Sequence, residues 1–232
     1  MKGVARFGSG AGGDPLSYLD DDFMGPSLDP KWTIRKPASL TALAFSASGM
    51  NAQIVAGGAG PTSSFWFNDN DGLLIYQPVA GDFIAECFVA ARNRLNSAPA
   101  PLAWFNVAGI AAHNPAEAPL PTGFNYVHVG PASNNTASLQ NECKSTAASV
   151  STFDYAVEGT GAQWVQLTRV GQTFSCAYKL AEGDPWIPRT VYNRAVSLPE
   201  LPQVLWLGPI VYSSVVGCDL SGTFRNFTVR TP

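Results

Sequence analysis

Paired carboxylates are the first residues of this sequence to consider for chemistry, because two carboxylates about 5 to 9.5 Å apart can hydrolyse a glycosidic bond. The closest pairs all lie in turn-like sequence: Asp20/Asp22, Asp69/Asp71 and Glu182/Asp184. Glu86 is the one acid that we place well inside a strand, and no acid lies two residues from it on the same strand face. The sequence therefore predicts no catalytic residues, and a glycoside hydrolase ranks third among our hypotheses.

The histidines and cysteines provide no stronger candidates for catalysis or metal binding. The two histidines are His113 and His128, and no Gly-x-Ser-x-Gly elbow is present. His128 lies inside a predicted strand and is interpreted as a hydrogen-bonded structural residue. His113 lies where a strand enters a loop, so it is a candidate for ligand contact. The four cysteines are widely scattered without a C-x-x-C pair, which predicts no metal site and reduced, buried thiols.

The segment 68–72, NDNDG, resembles part of a calcium loop through Asp69 and Asp71. An EF-hand would also need glutamate at position 80, which is alanine. A hairpin turn explains the segment without metal. No cofactor is predicted, although calcium at Asp69 and Asp71 stays open.

Tryptophans are the remaining candidates, since binding sites combine apolar and aromatic walls with a few polar groups. Trp164 leads the polar face of a predicted hairpin, Trp186 follows an acidic turn, and Trp104 follows a proline-rich loop. Together with His113, these three residues form the predicted ligand-binding set.

Short strands must position all of these residues. Proline and glycine total 40 of 232 residues and interrupt the chain too often for long helices. Between them lie stretches rich in β-branched and aromatic residues, predicted as strands: 32–36, 41–47, 52–56, 64–67, 73–77, 82–91, 104–112, 124–130, 136–142, 150–156, 163–170, 173–180, 203–213 and 221–230. So many short strands predict an all-β sandwich or barrel.

The hairpin at 164–179 gives the most detailed expectation. A type II′ turn at Gly171-Gln172 pairs Val170 with Thr173, and the register continues from there. One face then carries only apolar or small side chains: Val165, Leu167, Phe174, Cys176 and Tyr178. We therefore expect that face in the core and the face led by Trp164 outside.

The same region carries a family resemblance. Trp164, Leu167, Arg169, Gly171 and Phe174, followed by EGDPW at 182–186, resemble a pattern of the concanavalin A-like lectin/glucanase superfamily. Six other stretches match in order: 21–34, 72–89, 108–113, 124–130, 201–214 and 222–229. The resemblance implies an antiparallel two-sheet jelly-roll sandwich, a non-catalytic lectin-like or laminin-G-like module, over residues 20–232. An aspartate-glycine of the pattern is Glu182-Gly183 here, and an extra Asp-Pro precedes Trp186.

Composition argues against some classes of binding partner. A net charge of -3 and a pI near 5.3 argue against nucleic acid, and no apolar run is long enough to span a membrane. The amino terminus lacks the apolar segment of a signal peptide, which predicts synthesis in the cytoplasm. Residues 1–19, rich in glycine, are expected to form a flexible arm, beyond which 20–232 form one domain.

Two functional hypotheses follow. The first is a non-catalytic carbohydrate-binding or adhesion module, with a glycan as ligand. The second is a structural virion protein, such as a phage capsid decoration or tail component, which contacts an oligomer or particle through residues 1–19. The missing signal peptide and the arm favour the second hypothesis, and the loop aromatics favour the first.

Overall fold

A computed structural model describes the residues 13–35, 40–54, 72–93, 106–116, 124–133, 138–157, 160–196, 199–213 and 220–232. They form fourteen strands and one short 3-10 helix, Ser17–Leu19. The strands are β1 (Thr33–Arg35), β2 (Leu40–Ser46), β3 (Gly49–Ile54), β4 (Leu73–Ala80), β5 (Phe83–Asn93), β6 (Asn106–His113), β7 (Tyr126–Ser133), β8 (Leu139–Ala147), β9 (Val150–Val157), β10 (Ala162–Val170), β11 (Thr173–Lys179), β12 (Ile187–Asn193), β13 (Val204–Ser213) and β14 (Leu220–Arg230).

The strands form two seven-stranded sheets that stack as a sandwich. Sheet I has the order β1-β4-β13-β6-β7-β8-β9, and sheet II has the order β12-β11-β10-β5-β14-β3-β2. All described pairings are antiparallel. One large cluster of buried apolar side chains from both sheets lies between them. The predicted all-β, two-sheet sandwich is confirmed.

The hairpin of β10 and β11 has the predicted register. Val170 pairs with Thr173, Leu167 with Cys176, and Val165 with Tyr178. Gly171 has a φ of 59°, and Gln172 does not have a positive φ, as a type II′ turn requires. Val165, Leu167, Phe174 and Cys176 all belong to the buried core, as the alternation predicts.

Two strand predictions need correction. β12 was missed, because Pro188 removes a backbone donor and is typical of edge strands or non-strands. Pro188 indeed lies on an edge strand of sheet II, next to a register shift in its partner β11. β8 extends to Ala147 rather than ending at 142, which places Glu142 inside it. Asp154 lies inside β9. Glu86 is therefore not the one acid well inside a strand.

The amino-terminal region begins to contact the sandwich before residue 20. Asp14 accepts hydrogen bonds from the backbone and hydroxyl of Thr231 at 2.8 Å, Leu19 is buried, and the Gln77 side chain donates to the Leu19 carbonyl. The rest of the predicted arm, residues 1–12, lies outside the described residues. The division into an arm and one domain stays a prediction. Among the described residues, no helix is long and apolar enough to cross a bilayer.

Candidate functional site on the outer face of sheet I

Each strand of sheet I has one face toward the sandwich core and one face away from it. On β13, Leu205, Leu207 and Val211 belong to the main core, whereas Ile210 and Tyr212 belong to a second, smaller cluster. Side chains two residues apart share a face, so this second cluster marks the outer face of sheet I. This face holds buried polar residues, which one-sided sheets normally leave in solvent.

Strand register brings distant residues together on the outer face. Trp206 on β13 lies opposite His113 on β6, and His113 lies opposite Tyr126 on β7. One row further along, His128 on β7 lies opposite Lys144 on β8. Residues directly opposite in antiparallel strands have neighbouring side chains on one face. The outer face therefore collects ionisable groups from three adjacent strands.

Five of these residues form a hydrogen-bonded group that we call the polar cluster: His128, Gln140, Glu142, Lys144 and Tyr212. His128 Nε2 lies 3.2 Å from Glu142 Oε1, and the Tyr212 hydroxyl donates to the same oxygen at 3.1 Å. The Gln140 amide donates to Glu142 Oε2 at 3.1 Å. Lys144 Nζ donates to the Tyr212 hydroxyl at 3.4 Å. None of the five is more than 2% exposed.

Burial and hydrogen bonding set the charges of the cluster. Burial lowers the pKa of His128, so its ring is neutral near pH 7. Burial opposes ionisation of Glu142, but the hydrogen bond from His128 and the nearby Lys144 charge outweigh it and lower the pKa of Glu142. Burial lowers the pKa of Lys144 to about 8, while Glu142 opposes that shift. Near pH 7 the cluster thus holds one carboxylate and one ammonium ion.

Two polar atoms of the cluster, Gln140 Oε1 and His128 Nδ1, have no partner among the described residues. Because Nε2 of the neutral His128 ring donates to Glu142, Nδ1 is a hydrogen-bond acceptor. Among the described residues, nothing donates to this buried Nδ1. A buried polar atom without a partner is costly. Because His128 is fully buried, this atom lies beneath the surface of the face.

A row of aromatic rings crosses the outer face beside the cluster. We call it the ring row, and it comprises Tyr76, Trp206, His113, Tyr126 and His128. Successive ring centroids are 4.4, 6.1, 5.6 and 6.2 Å apart, and the planes of neighbouring rings differ by 27°, 17°, 4° and 10°. Tyr76 and Trp206, at one end of the row, are partly exposed, while the other three rings are buried. The row therefore has one end open to solvent.

The predicted site residue His113 lies within this ring row. Its Nδ1 donates to the Asn114 carbonyl at 2.6 Å, and burial together with the Arg35 charge lowers its pKa to about 3. A neutral ring held between Tyr126 and Trp206 can orient its neighbours but cannot act as a proton donor near pH 7. His128, interpreted from sequence as a hydrogen-bonded structural residue, is hydrogen-bonded and lies in the same row.

The predicted residues Trp164 and Trp186 lie elsewhere, on the outer face of sheet II. Lys179 Nζ brings them together, at 5.5 Å from the Trp164 ring centroid and 4.7 Å from the Trp186 centroid. A cavity of about 460 Å³ adjoins Trp164, which is itself only 7% exposed because Lys179 and the edge of Phe88 also contact its ring. The structure does not bring these tryptophans near His113. Trp104, Asp69 and Asp71 lie outside the described residues.

No direct signal in the sequence indicates the polar cluster. Glu142 and Lys144 are two residues apart, which would place them on one face of a strand, but the predicted strand ended at 142. Tyr212 comes from β13 and meets Glu142 only through the sheet order. A retrospective signal is the alternation of Gln140, Glu142 and Lys144 along β8.

The cluster does not form the carboxylate pair of glycoside hydrolysis. Among the described strands of sheet I, Glu142 is the only carboxylate on the outer face, because Asp154 points to the other side and pairs with Arg189 of β12 at 2.8 Å. Among the described residues, no group of three or more histidine, cysteine or acidic residues could hold a metal ion. The cluster instead links side chains of β7, β8 and β13 to one another.

No family model matches the sequence, and no curated protein matches it. Several solved structures have a similar fold. A functionally unknown protein from Saccharomyces cerevisiae has a TM-score of 0.65 at 13% identity, with 87% of this chain and 97% of that chain covered. A GH43 protein from Bacillus licheniformis has a TM-score of 0.68 at 13% identity, covering 93% of this chain but 39% of that one. The basic winged bean lectin with Tn-antigen has a TM-score of 0.54 at 8% identity, covering 90% and 95%.

These likenesses establish the fold. The chain has the concanavalin A-like jelly-roll sandwich that the sequence resemblance implies, shared with lectins and with glycoside hydrolase chains. At such low identities they say nothing further about this chain's ligand, and the chain spans less than half of the GH43 protein.

Proposed function

We propose that the protein binds carbohydrate on the outer face of sheet I and does so without catalysis. The observation that carries the proposal is the buried polar cluster beside a ring row whose Trp206 end reaches solvent. Aromatic rings stack on the apolar faces of sugars, and Tyr76 and Trp206 are the rings of the row that a sugar can reach. The basic winged bean lectin, which has this fold, was solved with Tn-antigen.

The polar cluster supports the proposal because the burial of its charges destabilises the fold unless those charges serve a function. A carboxylate and an ammonium ion are buried on a face that is not the main core, where a well-packed apolar pair would often be as stable or more stable. Proteins retain such groups where they are needed for recognition or specificity. The cluster residues are themselves no more than 2% exposed, so they support binding by holding the ring row in place: Glu142 accepts from His128, and Lys144 lies against the Tyr126 ring.

A glycan array followed by calorimetry of the best ligand tests this proposal. Trp206→Ala removes the solvent-exposed end of the ring row, and we expect at least a tenfold loss of affinity. Trp164→Ala is the matched control, because it removes a tryptophan from the outer face of the other sheet. If Trp164→Ala abolishes binding and Trp206→Ala does not, the ligand binds in the cavity beside Trp164 and our assignment of the site is wrong.

Hydrolysis, the third hypothesis from the sequence, is supported by the GH43 chains that share the fold. The relevant variant is Glu86→Gln, because Glu86 lines the cavity beside Trp164 and is partly exposed, whereas Glu142 is buried. Turnover of a polysaccharide panel by the wild type that disappears in Glu86→Gln would overturn the non-catalytic proposal.

A virion role is the sequence-based alternative, and it stays a prediction together with synthesis in the cytoplasm. Residues 13–19 contact the sandwich, so the deletion that tests an arm should remove residues 1–12 only. Loss of particle or oligomer docking in that deletion, with unchanged thermal melting, would support the arm. Normal docking would exclude it.

A further inference from the structure

Two cysteines from different sheets meet in the core of the sandwich. Cys143 on β8 and Cys176 on β11 are 0% and 2% exposed, and both belong to the main cluster of buried apolar side chains. Both thiols are free in this structure, and they are close enough to hydrogen-bond to each other. Neither thiol belongs to the polar cluster or the ring row, so the proposed function does not use them.

The contacts around the two thiols fix their relative position. Cys176 Sγ lies 3.9 Å from the His128 carbonyl on β7, and the next residue of β7, Val129, pairs with Cys143. The Cys176 side chain thus reaches from sheet II to the backbone of sheet I beside Cys143. A second link between the sheets lies close by, because the Tyr192 hydroxyl on β12 donates to the Cys143 carbonyl at 2.9 Å. The two strands that carry the thiols are therefore held face to face.

Cys87, the other cysteine of the described part of the chain, lies out of reach of Cys176. It is on β5, and β10 separates β5 from β11, so the two strands are about 10 Å apart. Cysteines whose Cα atoms are more than about 7 Å apart cannot form a disulfide without movement of the backbone. The Cys87 thiol instead donates to the Arg225 carbonyl at 3.4 Å.

We propose that Cys143 and Cys176 form a disulfide between the two sheets when the chain folds in the presence of a small-molecule disulfide such as oxidised glutathione. One cysteine thiolate attacks the glutathione disulfide and releases one glutathione as a thiol. The second cysteine thiolate attacks the mixed disulfide and releases the other glutathione. Each cysteine loses its proton, and the two electrons reduce one oxidised glutathione to two glutathione thiols.

The reaction belongs to the folding stage, because this exchange requires a thiolate. In the folded chain, the adjacent Cys176 thiol and burial raise the pKa of Cys143, and both cysteines are shielded from solvent. A folded, reduced molecule therefore stays reduced, whereas a chain that folds with the oxidant present keeps the cross-link. The cross-link closes a loop of about 34 residues and stabilises the fold mainly by constraining the unfolded chain.

Refolding in defined redox buffers tests the proposal. The full chain is unfolded and reduced, refolded with oxidised or with reduced glutathione, alkylated, and mapped by peptide mass spectrometry. We expect one linked pair of peptides, carrying Cys143 and Cys176, after oxidative refolding only. The cross-linked protein should melt about 5 to 10 °C higher than the reduced protein.

Cys143→Ala and Cys176→Ala should each abolish this difference in melting temperature, and Cys87→Ala, the matched buried control, should keep it. The comparison is made within each variant, between its two refolding conditions, so a change in the stability of the variant itself does not affect it. If a variant fails to fold, the peptide map of the wild type still decides the pairing.

Three results would overturn the proposal: glutathione adducts without the linked pair, a different pairing, or a linked protein that melts below the reduced protein. Folded, reduced protein that oxidises as fast as the refolding chain would overturn the assignment to the folding stage. Carbohydrate binding is tested separately, since neither cysteine lies on the outer face of sheet I.

Discussion

Replacing Lys144 by methionine should make the protein more stable. Lys144 is fully buried in β8, with Nζ 5.3 Å from the Tyr126 ring centroid and 5.0 Å from the Tyr212 centroid. Burial lowers its pKa from the ordinary 10.5 to about 8, even though Glu142 opposes the shift. A change of this size corresponds to about 3 kcal/mol of unfavourable burial of the charged form. Methionine fills a similar volume without the charge.

The net gain should be smaller than that figure, because Glu142 loses a neighbouring positive charge that helps to keep it ionised. We expect Lys144→Met to raise the free energy of unfolding by about 2 kcal/mol near pH 7. Urea denaturation followed by tryptophan fluorescence measures this quantity, provided that the slope with denaturant is unchanged.

The pH dependence distinguishes this explanation from a simple packing effect. The folded-state pKa of Lys144 lies below its unfolded value, so between about pH 8 and 10.5 the unfolded chain binds more protons than the folded chain. Stability from this group therefore rises across that window, by about 2 kcal/mol between pH 7 and pH 9.5. The wild type should show this gain relative to Lys144→Met. Equal pH slopes, or a less stable variant at pH 7, would refute the reasoning.

Two further predictions concern buried polar groups. Glu142→Gln alone should destabilise the fold by about 3 kcal/mol, since it leaves Lys144 without its counter-charge, and adding Lys144→Met should restore most of that loss in a double-mutant cycle. Arg194 is buried and donates to the Pro199 carbonyl at 2.7 Å and to the Asn125 side chain at 2.9 Å. Changing it to methionine should lower the free energy of unfolding by about 3 kcal/mol. Thermal melting checks this, and Arg194→Lys should not restore stability, because lysine lacks the planar fork of donors.

Much of the fold could be predicted because its signals are local. In β10 and β11, alternation decides which side chains enter the core, and Gly171 supplies the positive φ that the turn requires. β12 has neither signal. It carries Pro188, has a register shift in its pairing, and leaves Val191 65% exposed, so its sequence does not alternate cleanly.

The candidate site could not be predicted to the same extent, because it depends on sheet order. Tyr212 and Glu142 are 70 residues apart in sequence, and they meet because β13, β6, β7 and β8 are consecutive in sheet I. Trp164 was placed correctly on the outer face of its hairpin. That face does not expose it, because Lys179 from the neighbouring strand covers its ring, a contact that alternation alone does not reveal.

The stability of the Lys144→Met variant leads to a further prediction about binding. A chain that carries a buried ammonium ion at a cost of about 3 kcal/mol is less stable than it could be, and functional sites are where proteins retain such costs. Lys144 lies against the Tyr126 ring of the ring row, so if the cluster positions that row for binding, the more stable variant should bind its best glycan at least tenfold more weakly, as calorimetry would show. Tyr18→Ala, which changes an exposed aromatic residue on the short 3-10 helix, should change neither property. A Lys144→Met protein that is more stable and binds with unchanged affinity would show that the polar cluster does not support the binding site.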